Sequence, residues 1–503
     1  MLHPSLILLA PDDDVVVARV ALEAGTPLDG ALVTHEAIAA GHKVALRAIA
    51  AGQPVRKYGQ VIGVATSFIR AGAHVHVHNI GMVDAAAAHA AGSAYRATAP
   101  VPTPATFDGY VRADGCVGTR NFIGVIASVN CSATVCRHIA QAGQAEAAGF
   151  PNVDGVVAIT HGSGCGMSGN GEGLALLQRT LRGYADHPNF AGVLVIGLGC
   201  EVNQLAPLVQ TLGKRAPGLF ASLTIQEAGG TREAIAAGIA RLREMLPVAN
   251  QARRSTVPAS HLTVGLQCGG SDGYSGISAN PALGAAVDLL VRHGGTAVLS
   301  ETPEIYGAEH LLTARAATPA VADALMARLA WWEHYTRTLG ADMNNNPSPG
   351  NKAGGVTTIL EKSLGAVAKG GSSGLMAVYE YAEPVTARGL VFMDTPGYDP
   401  VSATGQVAGG ANLICFTTGR GSTYGCKPVP SLKLATNTPL FRHMELDMDY
   451  DCGGIVDGRL GIAEAGEQLF RLMLATASGA PSKSECNGLG DNEFVPWQLG
   501  AVM

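Results

Sequence analysis

Apolar residues occur in short runs along this chain, and four of the runs end on a cysteine. The runs cover residues 124–131, 155–165, 192–200 and 262–268, and they end at Cys131, Cys165, Cys200 and Cys268. Glycine-rich and then helix-forming sequence follows each run, a pattern that predicts a buried parallel strand, a turn and a helix. Ligands bind outside the carboxyl ends of such strands, so the thiols indicate a metal or cluster site. Packing as small apolar side chains is the alternative interpretation.

The same pattern divides the chain into three regions. Residues 1–94 contain short strands and tight turns, which predicts a small β-rich domain. A proline-rich linker without apolar periodicity follows at 95–109. Strand-like and helix-like segments alternate over 110–255 and again over 256–503, which predicts two α/β domains with parallel, Rossmann-like sheets. The expected fold class is therefore α/β with a β-rich N-terminal domain.

Composition narrows the classes of function. The 503 residues carry a net charge of −6 and no basic tract, which argues against a nucleic-acid partner. No apolar run approaches the ~20 residues of a membrane span. The short apolar start runs into Asp12, Asp13 and Asp14, unlike a signal peptide. Ten cysteines without disulfide-framework spacing fit a reducing compartment, so we expect a cytoplasmic protein.

Three histidines alternate in the N-terminal sequence AHVHVHN. Residues two apart on a strand point to the same face, so His74, His76 and His78 are expected to align there. Two of these imidazoles are suited to bind one divalent metal ion. A solvated polar face on an edge strand is the alternative.

Cationic side chains in turns and glycine-rich loops are candidates for proton transfer and anion binding. Those in the N-terminal turns are His42, Lys43 and Lys57. Those in later loops are Arg120, Lys352 and Arg420, with Asn121 beside the first. An arginine offers a bidentate fork to a carboxylate, and glycines let the backbone approach a ligand closely. Ordinary solvated turns remain the alternative for each loop.

Other motifs give weaker indications. Residues 164–169 spell GCGMSG after a predicted strand, which matches half of a dinucleotide fingerprint, but the acidic residue expected after the next strand is misplaced. Glu301 and Glu304 follow another strand as candidates for a ligand or a base, or as ordinary helix N-terminal acids. The hydrolase elbow, the P-loop and the zincin motif are missing from the sequence.

Several longer segments resemble the altronate and galactarate dehydratase family. They are GYVRADGCVGTRNFIGVIASVNCSAT, THGSGCG, GLGCE, LQCGGSDGYSGISANPALG, NPSPGNKAGG, EKSLG and TTGRGSTYG. The N-terminal GHKVAL, VRKYG and HVHVHN resemble the β-clip (SAF-like) domain that this family carries fused or as a separate subunit. The resemblance covers nearly the whole chain.

The resemblance implies a hydro-lyase of carbohydrate catabolism. Such an enzyme eliminates water from a sugar acid such as altronate, gives a 2-keto-3-deoxy acid, and uses Fe²⁺ or Mn²⁺. Because some relatives eliminate sulfite from sulfolactate, galactarate and a sulfolactate-like hydroxy acid are alternative substrates. An NAD-dependent oxidoreductase and a non-catalytic sugar-acid sensor are the competing hypotheses.

These observations assign provisional roles. A stabilised enediolate needs a metal or cations, a base for the α-proton and an acid for the leaving hydroxyl. We assign the metal to His76 and His78, with thiolates of Cys131, Cys165, Cys200 and Cys268 as further ligands, or alternatively as ligands of an iron–sulfur cluster. Arg120, Asn121, Lys352 and Arg420 are assigned to substrate binding, and His42, Lys43 and Lys57 to proton transfer. We expect a homo-oligomer, a dimer, that acts on a small hydroxy acid and has no membrane or nucleic-acid partner.

Overall fold

The N-terminal region is a compact arrangement of short antiparallel strands. The computed structural model describes residues 2–30, 32–82, 90–211 and 218–500. The strands of this region are β1 Leu6–Ile7, β2 Val15–Ala18, β3 Pro27–Asp29, β4 Leu32–Val33, β5 Lys43–Ala45, β6 Pro54–Lys57, β7 Gln60–Ala65, β8 His74–Val75 and β9 Ile80–Gly81. They form sheets in the orders β1-β2-β5-β8 and β6-β7-β9, with β3 and β4 as a separate pair. The predicted β-rich N-terminal domain is confirmed.

The second region contains a parallel sheet covered by helices on both faces. Its elements are β10 Thr106–Val111, β11 Val117–Gly118, β12 Phe122–Ala127, α1 Ala133–Ala147, β13 Gly155–Ile159, α2 Glu172–Asp186, β14 Phe190–Gly197, α3 Leu205–Thr211, β15 Phe220–Thr224, α4 Thr231–Ala249 and β16 Arg254–Pro258. The parallel strands have the order β13-β12-β14-β15. Helices α1 and α4 cover one face, and α2 and α3 cover the other. All eight residues of β14 are consequently buried, which explains its uninterrupted apolar sequence.

The third region contains a larger parallel sheet. Its elements are β17 Thr263–Cys268, α5 Ala279–Arg292, β18 Thr296–Leu299, α6 His310–Thr313, α7 Pro319–Thr338, α8 Pro349–Ala353, α9 Ile359–Val367, β19 Leu375–Tyr379, β20 Gly389–Met393, α10 Asp399–Ala408, β21 Leu413–Thr418, β22 Ser431–Ala435, α11 Thr438–His443, β23 Tyr450–Asp451, α12 Gly453–Val456, α13 Ile462–Ala477 and α14 Lys483–Cys486. The strand order is β19-β20-β18-β17-β21-β22-β23. The chain leaves β17 towards β18 on one side, while β21 lies on the other. The loops after β17 and β21 therefore flank a topological switch point, where open α/β sheets bind ligands.

The regions are joined by contacts that the sequence pattern did not indicate. Strand β10 begins inside the predicted linker and pairs antiparallel with β16 along its length, so the two strands and β11 form a small sheet between the second and third regions. Apolar residues of the N-terminal region, among them Val15, Val55 and Ile62, share one buried core with the third region. The N-terminal region is thus packed into the molecule. Among the described residues, no helix is both long and apolar enough to cross a membrane.

Candidate active site

Three imidazole rings meet where the N-terminal region faces the third region. His42 directly precedes β5, His74 begins the adjacent strand β8, and His76 follows that strand. His42 Nδ1 lies 3.0 Å from His74 Nε2, and the His76 ring centroid is 4.9 Å from that of His42. One nitrogen of each ring lies within 4.8 Å of the others. This spacing suits ligands that share one divalent metal ion.

The environment of the rings also fits a metal site. Burial, with neighbouring positive charge, lowers the pKa of His74 to about 4 and that of His76 to about 3, and burial lowers the pKa of His42 as well. The rings are therefore neutral at pH 7, which is the form that binds metals. Within the described part of the chain, the buried Nδ1 atom of His76 has no hydrogen-bond partner. A buried polar atom without a partner is costly, and coordination would satisfy it.

A buried ion-pair group lies beside the histidines. Lys43 Nζ donates to Glu361 Oε2 over 2.9 Å and to the carbonyl oxygen of Gly355 over 2.6 Å, and Lys57 Nζ donates to Glu361 Oε1 over 2.8 Å. Thr358 caps α9 through its hydroxyl, which accepts from the Glu361 amide and donates to the N-terminal region, so the first turn of α9 aims Glu361 at both lysines. The two lysines come from the N-terminal region and the carboxylate from the third.

The three charges titrate differently. Although burial opposes it, pairing with both lysines lowers the pKa of Glu361 well below its usual range. Burial lowers the pKa of Lys43 to about 8, while attraction to Glu361 outweighs burial at Lys57 and raises its pKa. Lys43 is therefore the cation of this group that releases a proton more readily. Such a group, placed beside a metal site, is suited to general base chemistry.

A second buried group lies at the carboxyl edge of the third region's sheet. Lys369 Nζ lies 2.8 Å from the sulfur of Cys268 and 2.9 Å from Glu301 Oε2, and Lys362 Nζ lies 2.8 Å from Glu304 Oε1. All five side chains are at most 9% exposed. The sequence pattern indicates both glutamates and the cysteine as candidates. The pattern does not indicate the two lysines. Lysine is rarely buried without a partner, and only the folded chain shows which residue that partner is.

The two carboxyl groups of this second group differ in pKa. Burial and the neighbouring Glu304 raise the pKa of Glu301 to about 8, whereas at Glu304 the two lysines outweigh burial and lower the pKa. Glu301 occupies the left-handed backbone region at a φ of 70°, and its buried Oε1 atom has no hydrogen-bond partner among the described residues. Strained residues of this kind cluster at functional sites. Glu301 is thus a buried carboxyl with a raised pKa in a strained backbone conformation.

Helix α9 connects the two groups. Glu361 and Lys362 are consecutive, and one pairs with the N-terminal lysines while the other pairs with Glu304. A narrow cavity between the groups is lined by polar side chains from both regions, namely Lys57, Tyr58, Ser271, Asp272, Ser275, Asn280, Glu361 and Lys362. The arrangement places a neutral imidazole cluster and a low-pKa lysine at the interface, and α9 connects them to the second buried group with its raised-pKa carboxyl.

Comparison with known proteins shows the family to which this chain belongs. The family model of the altronate/galactarate dehydratase SAF domain matches residues 4–83, that of the D-galactarate dehydratase/altronate hydrolase second domain matches 109–250, and that of the D-galactarate/altronate dehydratase C-terminal domain matches 259–502. The chain belongs to the galactarate and altronate dehydratase family.

Individual relatives agree with this assignment. The galactarate dehydratase (L-threo-forming) of Escherichia coli strain K12 is 39% identical over 475 residues, which cover 92% of this chain and 91% of the relative. The altronate dehydratase of the same strain is 36% identical over 504 residues, with 98% of each chain covered. The (2R)-sulfolactate sulfo-lyase subunit beta of Chromohalobacter salexigens is 33% identical over 401 residues, which cover 78% of this chain and 97% of the relative. The predicted dehydratase family and its SAF domain are therefore confirmed.

The expectation for the alternating histidines of this dehydratase was wrong in one respect. Strand β8 ends at Val75, and the amides of Asn79 and Ile80 both donate to the carbonyl oxygen of His76, which closes a turn. Period-two alternation therefore stops after His76. His78 lies exposed on the turn, with its ring centroid 5.5 Å from that of His74, and it is not part of the metal-sized group. His42, assigned to proton transfer from the sequence, takes its place in the cluster.

The predicted substrate-binding residues fall into two pairs. Lys352 lies in α8 next to Ala353, whose carbonyl oxygen is 3.2 Å from His42 Nε2, and Arg420 lies exposed after β21 with its amide donating to Gly270. Neither side chain has a hydrogen-bond partner among the described residues. These two cations border the switch point of the third region.

Arg120 and Asn121 lie elsewhere and make structural contacts. Arg120 forms a bidentate ion pair with Glu485, at 2.6 and 2.8 Å, and donates its remaining protons to three backbone carbonyls. Asn121 is fully buried and accepts from Arg112 while donating to two carbonyls of the second region. Arg120 therefore links the second region to the third, whereas Asn121 links segments within the second region. Their role in substrate binding stays a prediction.

The cysteines do not complete the histidine site. Cys268 lies in the second buried group, and the metal-sized group around His76 contains only histidines among the described residues. The other three cysteines follow consecutive strands of the second region's sheet and are exposed. The sequence correctly indicated that they follow strands, but Cys268 belongs to a different sheet.

Proposed function

We propose that this family member removes water from a sugar acid, an aldonate or aldarate such as altronate or galactarate, and releases a 2-keto-3-deoxy acid. We place the reaction at the interface between the N-terminal and third regions. The observation that carries this proposal is the convergence of three neutral imidazoles with Lys43, which has a lowered pKa, across that interface.

The reaction needs one proton removed and one delivered. Loss of the C2 proton beside the carboxylate and of the C3 hydroxyl gives an enol, which becomes the 2-keto product when C3 is protonated. We assign the first step to Lys43 because its amine form is accessible near pH 8, and Glu361 holds it in place. Glu301, which burial keeps protonated near neutral pH, is the candidate acid for the leaving hydroxyl.

Binding and charge stabilisation fall to the remaining cations. Lys57 keeps its proton because of Glu361, so it contributes a permanent positive charge beside the reacting centre. Lys352 and Arg420 are free to hold the substrate's carboxylate and hydroxyl oxygens. His42, His74 and His76 would hold a divalent iron or manganese ion, which, when bound, polarises substrate oxygens as a Lewis acid.

A panel assay tests the proposal. The full-length protein is incubated with aldonates, aldarates and sulfolactate, with and without added Fe²⁺ or Mn²⁺, and formation of 2-keto acids is followed. We expect turnover of at least one sugar acid and loss of turnover after chelation. Turnover of sulfolactate alone would replace the proposal with a carbon–sulfur lyase, the activity named for the sulfo-lyase relative. Reduction of NAD⁺ without keto-acid formation would contradict both.

We also propose a closer description of the two sheets and a location in the cell. We infer that both parallel sheets are Rossmann-like, supported by strands that are parallel throughout and, in the second region, by helices on both faces. We also infer a cytoplasmic location, supported by ten cysteines that are all unpaired. Dimerisation stays a prediction that gel filtration with light scattering would test.

A further inference from the structure

Three exposed cysteines share the carboxyl edge of the second region's sheet. Cys131 follows β12, Cys165 follows β13 and Cys200 follows β14, and these three strands are neighbours in the sheet. Free cysteine is among the residue types most often buried, and five of the ten cysteines of this chain are buried. Three exposed thiols on adjacent loops therefore need an explanation other than packing.

Hydrogen bonds tie the three loops to one another. The Asn130 amide, one residue before the first cysteine, donates to the carbonyl oxygen of Ser163 over 2.9 Å. The Asn203 amide, three residues after the third cysteine, donates to the carbonyl oxygen of Gly164 over 3.0 Å. The second cysteine follows Gly164 directly, so each of the other loops is anchored beside it. The loops form one continuous surface.

Glycines bring the loop around Cys165 close to its neighbour. Gly164 and Gly166 have φ values of 98° and 65°, in the left-handed region that favours glycine. A Cβ atom on Gly164 would lie 2.6 Å from the carbonyl oxygen of Ser128, in the loop that carries Cys131. Any other residue at this position would force the two loops apart. The glycine at this position therefore lets the loops that carry Cys131 and Cys165 pack closely.

A single metal ion does not fit the three thiols as they are placed. A single tetrahedral ion holds thiolates at about 2.3 Å each, which brings the sulfur atoms within about 4 Å of one another. The cysteines are not among the described groups whose ligand atoms all lie within 4.8 Å. An iron–sulfur cluster is larger and is held by cysteine thiolates at its corners.

We propose that Cys131, Cys165 and Cys200 bind an iron–sulfur cluster, separate from the histidine site. Three protein thiolates leave one iron of a four-iron cluster without a protein ligand, open to an oxygen ligand such as water or a hydroxy acid. Cys268 is not a ligand because it is buried against Lys369 in the other sheet.

The test uses the full-length protein purified without oxygen and reconstituted with ferrous iron and sulfide. We expect bound iron and acid-labile sulfide in similar amounts and a visible charge-transfer band. Cys131→Ser, Cys165→Ser and Cys200→Ser should each lose sulfide and band. Cys116→Ser and Cys486→Ser are matched controls, since both cysteines are exposed but lie outside these loops, and they should retain both signals.

Two further measurements keep the proposal independent of how the variants fold and of the catalytic assignment. In the unmutated protein, peptide-mapped alkylation should label the three cysteines before reconstitution and spare them afterwards. A His76→Ala variant should keep sulfide and the band even if it loses activity, which separates this site from the histidine site. Iron without sulfide, equal labelling in both states, or equal loss in the two control variants would overturn the cluster.

Discussion

The interface around Glu361 and the thiol edge of the second region place reactive groups in opposite environments. At the interface, charges are buried and paired: the side chains of Lys43, Lys57 and Glu361 are at most 2% exposed. At the thiol edge, Cys131 and Cys165 are exposed. Groups contributed by two regions can neutralise each other once the regions dock, whereas those from one sheet edge remain open to an external partner. Burial with pairing therefore marks the preorganised site, and exposure marks the site that needs a ligand.

The largest effect is expected from a substitution that breaks the buried ion-pair group around Glu361. Glu361→Gln leaves two lysines buried without their carboxylate, and removing one member of such a group costs about 3–5 kcal/mol. We expect that loss in the free energy of unfolding, measured with urea, together with loss of dehydratase activity. Glu445→Gln, at an exposed glutamate, is the control. An unfolding free energy equal to that of the control would mean that the lysines find other partners.

The next prediction distinguishes His76 from His78, which the alternating sequence pattern assigns to the same metal site. His76→Ala removes a member of the imidazole cluster, whereas His78→Ala changes an exposed ring that contacts His74 but lies outside the cluster. Because loss of even an outer-shell partner costs a metal site about 10- to 100-fold in affinity or activity, His76→Ala should cost at least that much. Metal content by mass spectrometry and kcat should fall together. Comparable losses in His78→Ala would restore the original ligand assignment.

A third effect distinguishes the two arginines. Arg420→Ala should lower kcat/KM by about ten- to a hundredfold, because a charged hydrogen bond to the substrate contributes roughly 1.5–3 kcal/mol. Arg120→Ala should instead lower the melting temperature, since it breaks the pair with Glu485 between regions. Steady-state kinetics and thermal melts of both variants check this division. A kcat/KM unaffected by Arg420→Ala would remove that residue from the site.

The smallest effects compare one cysteine from each environment in metal-free protein. Cys268→Ala removes a buried partner of Lys369, and such a loss costs about 1–3 kcal/mol. Cys165→Ala changes an exposed side chain and should stay within about 0.5 kcal/mol. Urea unfolding measures both. If Cys165→Ala is the more destabilising change, the thiol edge is structural and the contrast between the two environments fails.

Much of the local structure could be predicted from the sequence. Apolar runs gave the parallel strands, since residues buried on both faces of a sheet leave an uninterrupted apolar pattern. Short alternating segments gave the β-rich N-terminal region, and turn sequences pointed to His42, Lys43 and Lys57. Local rules failed at His78, where a turn stops the strand alternation, because hydrogen bonds within that turn override the period of two.

Long-range pairing was decided by the tertiary structure alone. Lys43 and Glu361 are 318 residues apart, and Arg120 and Glu485 are 365 apart, so neither partner was visible in a local pattern. The sequence by itself determined which residue types stand at strand ends and turns. Docking of the regions determined which of them became buried, which were paired and which remained free, because the free energy of a buried charge depends on partners that only the folded chain supplies.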